Sequence, residues 1–125
     1  MIHLLDVNVL LASIWTGHPQ HEVAFDWLAG KAVAVCPVTE LGFLRISTQP
    51  KAFNAPMSQA RALLAKFLAE RQATRLTADL PALESHPQAS SQVTDHYLAD
   101  LAERHGCRLA TLDHQLKHRA VVVVT

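Results

Sequence analysis

Four carboxylates in this chain occupy positions where an α/β protein can do chemistry. Asp6 closes the apolar run Ile2-His3-Leu4-Leu5, and Asp113 closes Arg108-Leu109-Ala110-Thr111-Leu112. A helix or turn is expected after each, and in open α/β sheets ligands bind in the crevice beyond the carboxyl ends of the strands. Glu40 follows a third apolar run, Val33-Ala34-Val35-Cys36, and Asp95 lies near the start of a late helix. If these acids meet, each pair of unit charges at about 5 Å and an effective dielectric near 20 costs roughly 3 kcal/mol. A hard divalent ion with oxygen ligands removes that repulsion and can activate water for phosphodiester cleavage. The acids point to metal-assisted hydrolysis.

To bring them together, strands and helices must alternate. Val7, Leu10, Leu11, Ile14 and Trp15 recur at i, i+3, i+4, i+7 and i+8, one face of a helix. Asp6 stands at its N-cap. A second helix is expected to start at Pro19, bury Val23, Ala24, Trp27 and Leu28, and end at Gly30. A strand over 32–36 leads into a buried helix from Pro37 to about Ser47, which carries Glu40. Pro50 and Pro56 mark a loop over 49–57, after which Ser58 can cap a helix with a stripe of Ala60, Leu63, Leu64, Phe67 and Leu68. Residues 72–90 hold a short strand near 74–77 and a proline-punctuated turn region. Ser90 or Ser91 then starts a helix that buries Tyr97, Leu98, Leu101 and Ala102, and Gly106 stops it. Strand 108–112, a short helical turn and the run 120–124 complete the chain, the last reading as a strand covered on both faces. Strands alternating with helices imply a three-layer α/β/α sandwich with a mostly parallel central sheet, in one domain spanning residues 1–125.

Composition narrows the function. Half of the 125 residues are hydrophobic, which excludes a disordered chain. Eleven basic and eleven acidic residues cancel, which argues against a protein that coats nucleic acid by bulk charge. A nuclease survives this test, because a bound metal supplies local positive charge. No apolar run is long enough to span a membrane and the N-terminus has no signal-type pattern, so a soluble cytoplasmic protein is expected. Cys36 and Cys107 read as small buried apolar residues.

The same residues carry a resemblance. Leu4-Leu5-Asp6-Val7-Asn8-Val9-Leu10-Leu11-Ala12 resembles the opening of a PIN domain, in particular that of the VapC-type toxins. Pro37-Val38-Thr39-Glu40-Leu41-Gly42-Phe43-Leu44-Arg45 resembles that family's second acidic motif, Thr94 to Ala102 its third, and Leu109-Ala110-Thr111-Leu112-Asp113 its fourth. The segments come in the family's order over nearly the whole chain. The resemblance implies an endoribonuclease dependent on Mg²⁺ or Mn²⁺, the toxin of a type II toxin–antitoxin module, which cuts transfer or ribosomal RNA to slow translation. It also implies a VapB-type antitoxin that covers the site, and a homodimer.

Residue by residue, Asp6, Glu40, Asp95 and Asp113 match the family's acids. Asp6 and Asp95 are expected to bind metal directly, with Glu40 and Asp113 acting through water or on a second ion. Asn8 and Thr111 match polar neighbours that orient those carboxylates. Asp100 and His114 depart from the pattern, Asp100 being too far round the helix from Asp95 to join the site. An ion pair between Glu40 and Arg45 is the plain structural alternative, but five residues put the two poorly in register.

Other readings rank lower. His18-x-x-His21 and His114-x-x-x-His118 have zinc-like spacing without a nearby cysteine, and surface histidines are the better account. His114, Lys117 and His118, with Arg45, could instead form an RNA-contacting rim. Trp15 and Trp27 read as core. A phosphatase using an aspartyl-phosphate would need a second acid where Asn8 stands, and a receiver domain a phosphorylatable Asp where Cys36-Pro37 stands. The serious alternative is a catalytically inactive PIN-like module that binds RNA or protein.

Overall fold

The computed structural model describes residues 1–125. Five strands, β1 (Ile2–Leu5), β2 (Ala32–Val35), β3 (Thr74–Arg75), β4 (Arg108–Thr111) and β5 (Val121–Val123), form one sheet in the order β3-β2-β1-β4-β5. Every pairing is parallel, with Leu4 opposite both Ala34 and Leu109. Five α-helices connect and cover it: α1 (Val7–Ile14), α2 (His21–Leu28), α3 (Pro37–Thr48), α4 (Met57–Glu70) and α5 (Val93–Arg104).

Side chains alternate across each strand, and so they separate into two cores. Leu5, Val33, Val35 and Ala110 point to the face covered by α1 to α4, where Leu10, Leu28, Phe43 and Leu64 fill the interior. Leu4, Ala34, Cys36 and Leu109 point the other way, onto Leu98, Leu101 and Ala102 of α5. That is a three-layer sandwich. Strands buried on both faces are apolar throughout, which is why β1, β2 and β4 read as runs rather than alternations.

Several boundaries differ from the pattern-based reading. The second helix starts at His21, not Pro19, because residues 15–20 form a hydrogen-bonded turn in which the His18 Nδ1 accepts from the Gln20 N–H at 3.0 Å. Val23, expected inside, is 41% exposed. α4 begins at Met57 with no side-chain cap, so Ser58 is already helical. No helix follows β4; the 112–120 segment is a loop with turns. β5 lies at the sheet edge, and its three valines are half-buried rather than covered on both faces. Trp15 does pack in the core, stacked on Phe43 and Phe53 with its indole N–H on the Ser47 hydroxyl at 2.9 Å. No helix is long and apolar enough to cross a membrane.

Candidate active site

The chain leaves β1 in one direction to build β2 and β3, and returns to the opposite side of β1 to build β4. The crevice between the carboxyl ends of β1 and β4 is therefore the switch point, the preferred binding position in this architecture. Asp6 is the first residue after β1 and Asp113 the second after β4. Asp95 reaches the same region from the first turn of α5.

Asp6 is 3% exposed, and each of its carboxylate oxygens has one protein donor. Oδ1 accepts the Val7 N–H at 2.7 Å, capping α1, and Oδ2 accepts the Thr111 hydroxyl at 2.8 Å. Two groups donate to that hydroxyl: the Asn8 Nδ2 at 3.3 Å and the Asp113 N–H at 3.1 Å. With both lone pairs of Thr111 occupied, its single proton must go to Asp6. Asn8 also accepts the Leu112 N–H at 3.2 Å, so it ties the start of α1 to the end of β4. Asp113 accepts the Gln115 N–H at 2.9 Å, which fixes its own turn.

Charge accumulates here without compensation. Burial, then the charge of Asp95, raises the Asp6 carboxyl to a pKa of about 6; the hydrogen bonds from Thr111 and Val7 work against that rise and Asp113 adds to it. Burial and the charge of Asp113 also raise Asp95. None of the three is in an ion pair. A hollow of about 580 Å³ opens on Asp6 and Asp95, its other wall being Val38, Leu41, Arg45 and Ile46 of α3. Its donor set is all-carboxylate, which suits a hard divalent cation rather than a soft one.

Glu40 is placed differently. Its Oε2 accepts from the Arg75 Nη1 at 3.1 Å, and it lines a separate hollow with Leu44, Arg61 and Leu64. The partner is thus Arg75 on β3 and not Arg45. No local pattern could have signalled a partner 35 positions away. Arg45, exposed, lines the acidic hollow itself. His114 and Lys117 are exposed just beyond Asp113. His118 corrects the surface reading, since its side chain is 9% exposed and its Nε2 lies 2.8 Å from Asp100.

Sequence reasoning also missed Gly42. A Cβ there would stand 2.6 Å from the Val7 Cγ2, so the glycine is what lets α3 approach the start of α1 beside Asp6. The signal was available in principle as a lone glycine inside an otherwise helical pattern.

The chain matches known proteins along most of its length. The PIN domain family matches residues 3–122. Ribonuclease VapC38 of Mycobacterium tuberculosis is 37% identical, with 88% of this chain and 84% of the relative aligned. Ribonuclease VapC44 of the same organism is 36% identical, over 94% of this chain and 90% of its own length. A crystal structure of VapBC2 from Rickettsia felis, bound to a DNA fragment from their promoter, superposes with a TM-score of 0.65 over 98% of this chain and 97% of the other, at 15% identity. Fold, family match and relatives agree: the chain belongs to the PIN-domain family, among its VapC-type members.

Proposed function

We propose that this protein is a divalent-metal-dependent endoribonuclease, the toxin of a type II toxin–antitoxin module, which hydrolyses RNA phosphodiester bonds to inhibit translation. Transfer and ribosomal RNA are the substrate classes in view. The observation that carries this reading is the buried, uncompensated Asp6 carboxyl, raised to about 6 beside Asp95 and Asp113. A folded protein keeps such repulsion where a cation is to be bound. The activities in the relatives' names, ribonuclease in both cases, point the same way.

In this reading Asp6 and Asp95 hold Mg²⁺ directly, and Mn²⁺ can substitute. Asp113 and Glu40 act through water or on a second ion, Glu40 only after leaving Arg75. An ion held there would supply a water of lowered pKa and offset the negative charge that builds on the phosphoryl oxygens. The remaining work belongs to the chain. Thr111 and Asn8 keep Asp6 from rotating, so its oxygens meet the ion without reorganisation. Arg45 offers the one guanidinium on the hollow for a substrate phosphate. His114 and Lys117 extend that basic rim past Asp113. His118, turned inward onto Asp100, contributes less than its sequence position promised.

The same reading has the protein act in the cytoplasm as a single-domain homodimer, silenced by a VapB-type antitoxin that covers the hollow. The VapBC2 assembly shares its fold with this chain and supports such a partner. A second reading, a catalytically inactive PIN-like module, is favoured by one observation: Arg75 engages Glu40 and withdraws it from the other acids. Structured RNA incubated with the pure protein decides between them. Cleavage with Mn²⁺ that stops with EDTA and in Asp6→Asn is expected. RNA binding without cleavage, unchanged by Mn²⁺, would establish the inactive module instead.

A further inference from the structure

A second cluster of ligating side chains lies outside the acidic hollow. His96 and Asp100 are four residues apart on α5 and so share a face. His118 reaches them from the loop between β4 and β5. The Nε2 of His118 is 2.8 Å from the Asp100 Oδ1, and the Nε2 of His96 is 3.4 Å from Oδ2. The two imidazoles stand edge to face, with ring centres 5.3 Å apart. One candidate ligand atom from each residue lies within 4.8 Å of the other two. None of the three residues lines the hollow that holds Asp6 and Asp95.

We propose that His96, Asp100 and His118 form a binding site for a zinc-class transition-metal ion, which clips the β4–β5 loop to helix α5. Two imidazoles and one carboxylate are a ligand set that Zn²⁺, Co²⁺ or Ni²⁺ accepts and Mg²⁺ does not, whereas the acidic hollow offers oxygen alone. The two sites therefore sort metals by softness. Ligand atoms around a tetrahedral zinc at about 2.0–2.1 Å stand roughly 3.3 Å apart. The spacings here bracket that value, so side-chain adjustments of about an ångström close the site. Three protein ligands leave a fourth position for water.

Asp100 is prepared for the role. The Ser85 hydroxyl donates to its Oδ2 at 2.8 Å, which orients the carboxylate from behind. A Ser–His–Asp catalytic relay is excluded, because Asp100 and not a histidine occupies the middle of the chain of hydrogen bonds. The metal must compete with one proton. The His118 Nδ1 accepts the Ala120 N–H at 3.0 Å, which puts the neutral ring's proton on Nε2, facing Asp100. When a metal takes Nε2, that proton moves to Nδ1 and the Ala120 N–H has to turn away. Metal binding at this site is thus written into the exchange rate of one backbone amide.

The test uses the full chain carrying Asp6→Asn, so that the acidic hollow is weakened as a competing site. Co²⁺ is titrated while its visible absorption is followed, and Zn²⁺ affinity is measured against a chromophoric chelator. One equivalent of Co²⁺ with the intense spectrum of tetrahedral coordination is expected, together with faster exchange at the Ala120 amide. Adding His96→Ala should weaken Zn²⁺ binding by about tenfold or more. The His96 side chain makes no hydrogen bond and only approaches Asp100 at 3.4 Å, so its loss is expected to leave the fold intact, which circular dichroism checks. Asp100→Asn, nearly the same in volume, should do the same, while His18→Ala should change nothing. No tetrahedral Co²⁺ spectrum, or equal Zn²⁺ affinity with and without His96, overturns the site and leaves Ser85, Asp100 and His118 as a hydrogen-bonded staple.

Discussion

At the scale of single residues, Asp6 links stability to pH. Its carboxyl titrates near 6 in the folded chain, against an ordinary value of 3.8. The folded state therefore keeps a proton that the unfolded state has already lost between those values. Stability from this group is complete below about pH 4, falls as pH rises towards 6, and is flat above it. The difference between those two values corresponds to about 3 kcal/mol. Asp95 shifts in the same direction and adds to the trend. Asp100 runs the other way. Burial works against its charge, yet hydrogen bonds from His118 and Ser85 hold its carboxyl below the ordinary range, so its contribution is lost as pH falls. Asp6→Asn removes the first effect while keeping the helix cap. Metal-free Asp6→Asn should fall ~1–2 kcal/mol below the parent near pH 4, because the new amide faces the Thr111 hydroxyl, and exceed it by ~1–2 kcal/mol at pH 7, where relief of the buried charge outweighs that loss. Urea denaturation at the two pH values measures this. An equal difference at both would mean that the charge of Asp6 is not what strains the fold.

At the scale of elements, the site depends on how closely α3 lies against the start of α1. An alanine at Gly42 would normally gain up to ~1 kcal/mol of helix propensity, but its Cβ would meet the branched side chain of Val7 at 2.6 Å. Overpacking of that kind costs about 1–3 kcal/mol, so Gly42→Ala should destabilise the protein and displace Val7, the residue whose N–H holds Asp6. Val7→Ala should relieve the clash. The double variant is then expected to recover about 1 kcal/mol or more relative to the sum of the singles, measured by denaturation. Strictly additive effects would show that the two helices do not meet there. This contact also marks where sequence reading stops. The helical face of Val7 to Trp15, the apolar strands and the stop at Gly106 are readable because each depends on neighbours in the chain. So is the helix start at Pro37, where Thr39 folds back on the Cys36 backbone N–H at 3.1 Å. The Thr111 hydroxyl on Asp6 and the Arg75 guanidinium on Glu40 span 105 and 35 positions, and only the strand order decides which side chains meet. Asp100 and His118 were separated for the same reason, one set apart by its angle on the helix and the other read as surface.

For the whole molecule, the distribution of charge matters more than its sum. Basic and acidic residues cancel, yet three of the acids crowd one end of the sheet, and Arg45 is the only cation on the hollow that Asp6 and Asp95 line. A ligand that neutralises this end and binds only the folded chain must raise its stability, by RT ln(1 + [L]/Kd). At ten times the dissociation constant this is about 1.4 kcal/mol, or roughly 5 °C in melting temperature for a chain of this size. Mn²⁺ or Mg²⁺ should therefore raise the melting temperature of the parent at pH 7.5. At pH 4.5 the shift should shrink, because Asp6 holds a proton that the metal has to displace, and the raised Asp95 carboxyl works in the same direction. Asp6→Asn should abolish the response to Mn²⁺ yet keep a response to Zn²⁺, and His96→Ala should do the reverse. Thermal denaturation with each metal at both pH values reads all of these outcomes. If Mn²⁺ at millimolar concentration leaves the parent's melting temperature unmoved at pH 7.5, the acids at the ends of β1 and β4 do not bind it, and their mutual repulsion is a cost the fold bears for some other reason.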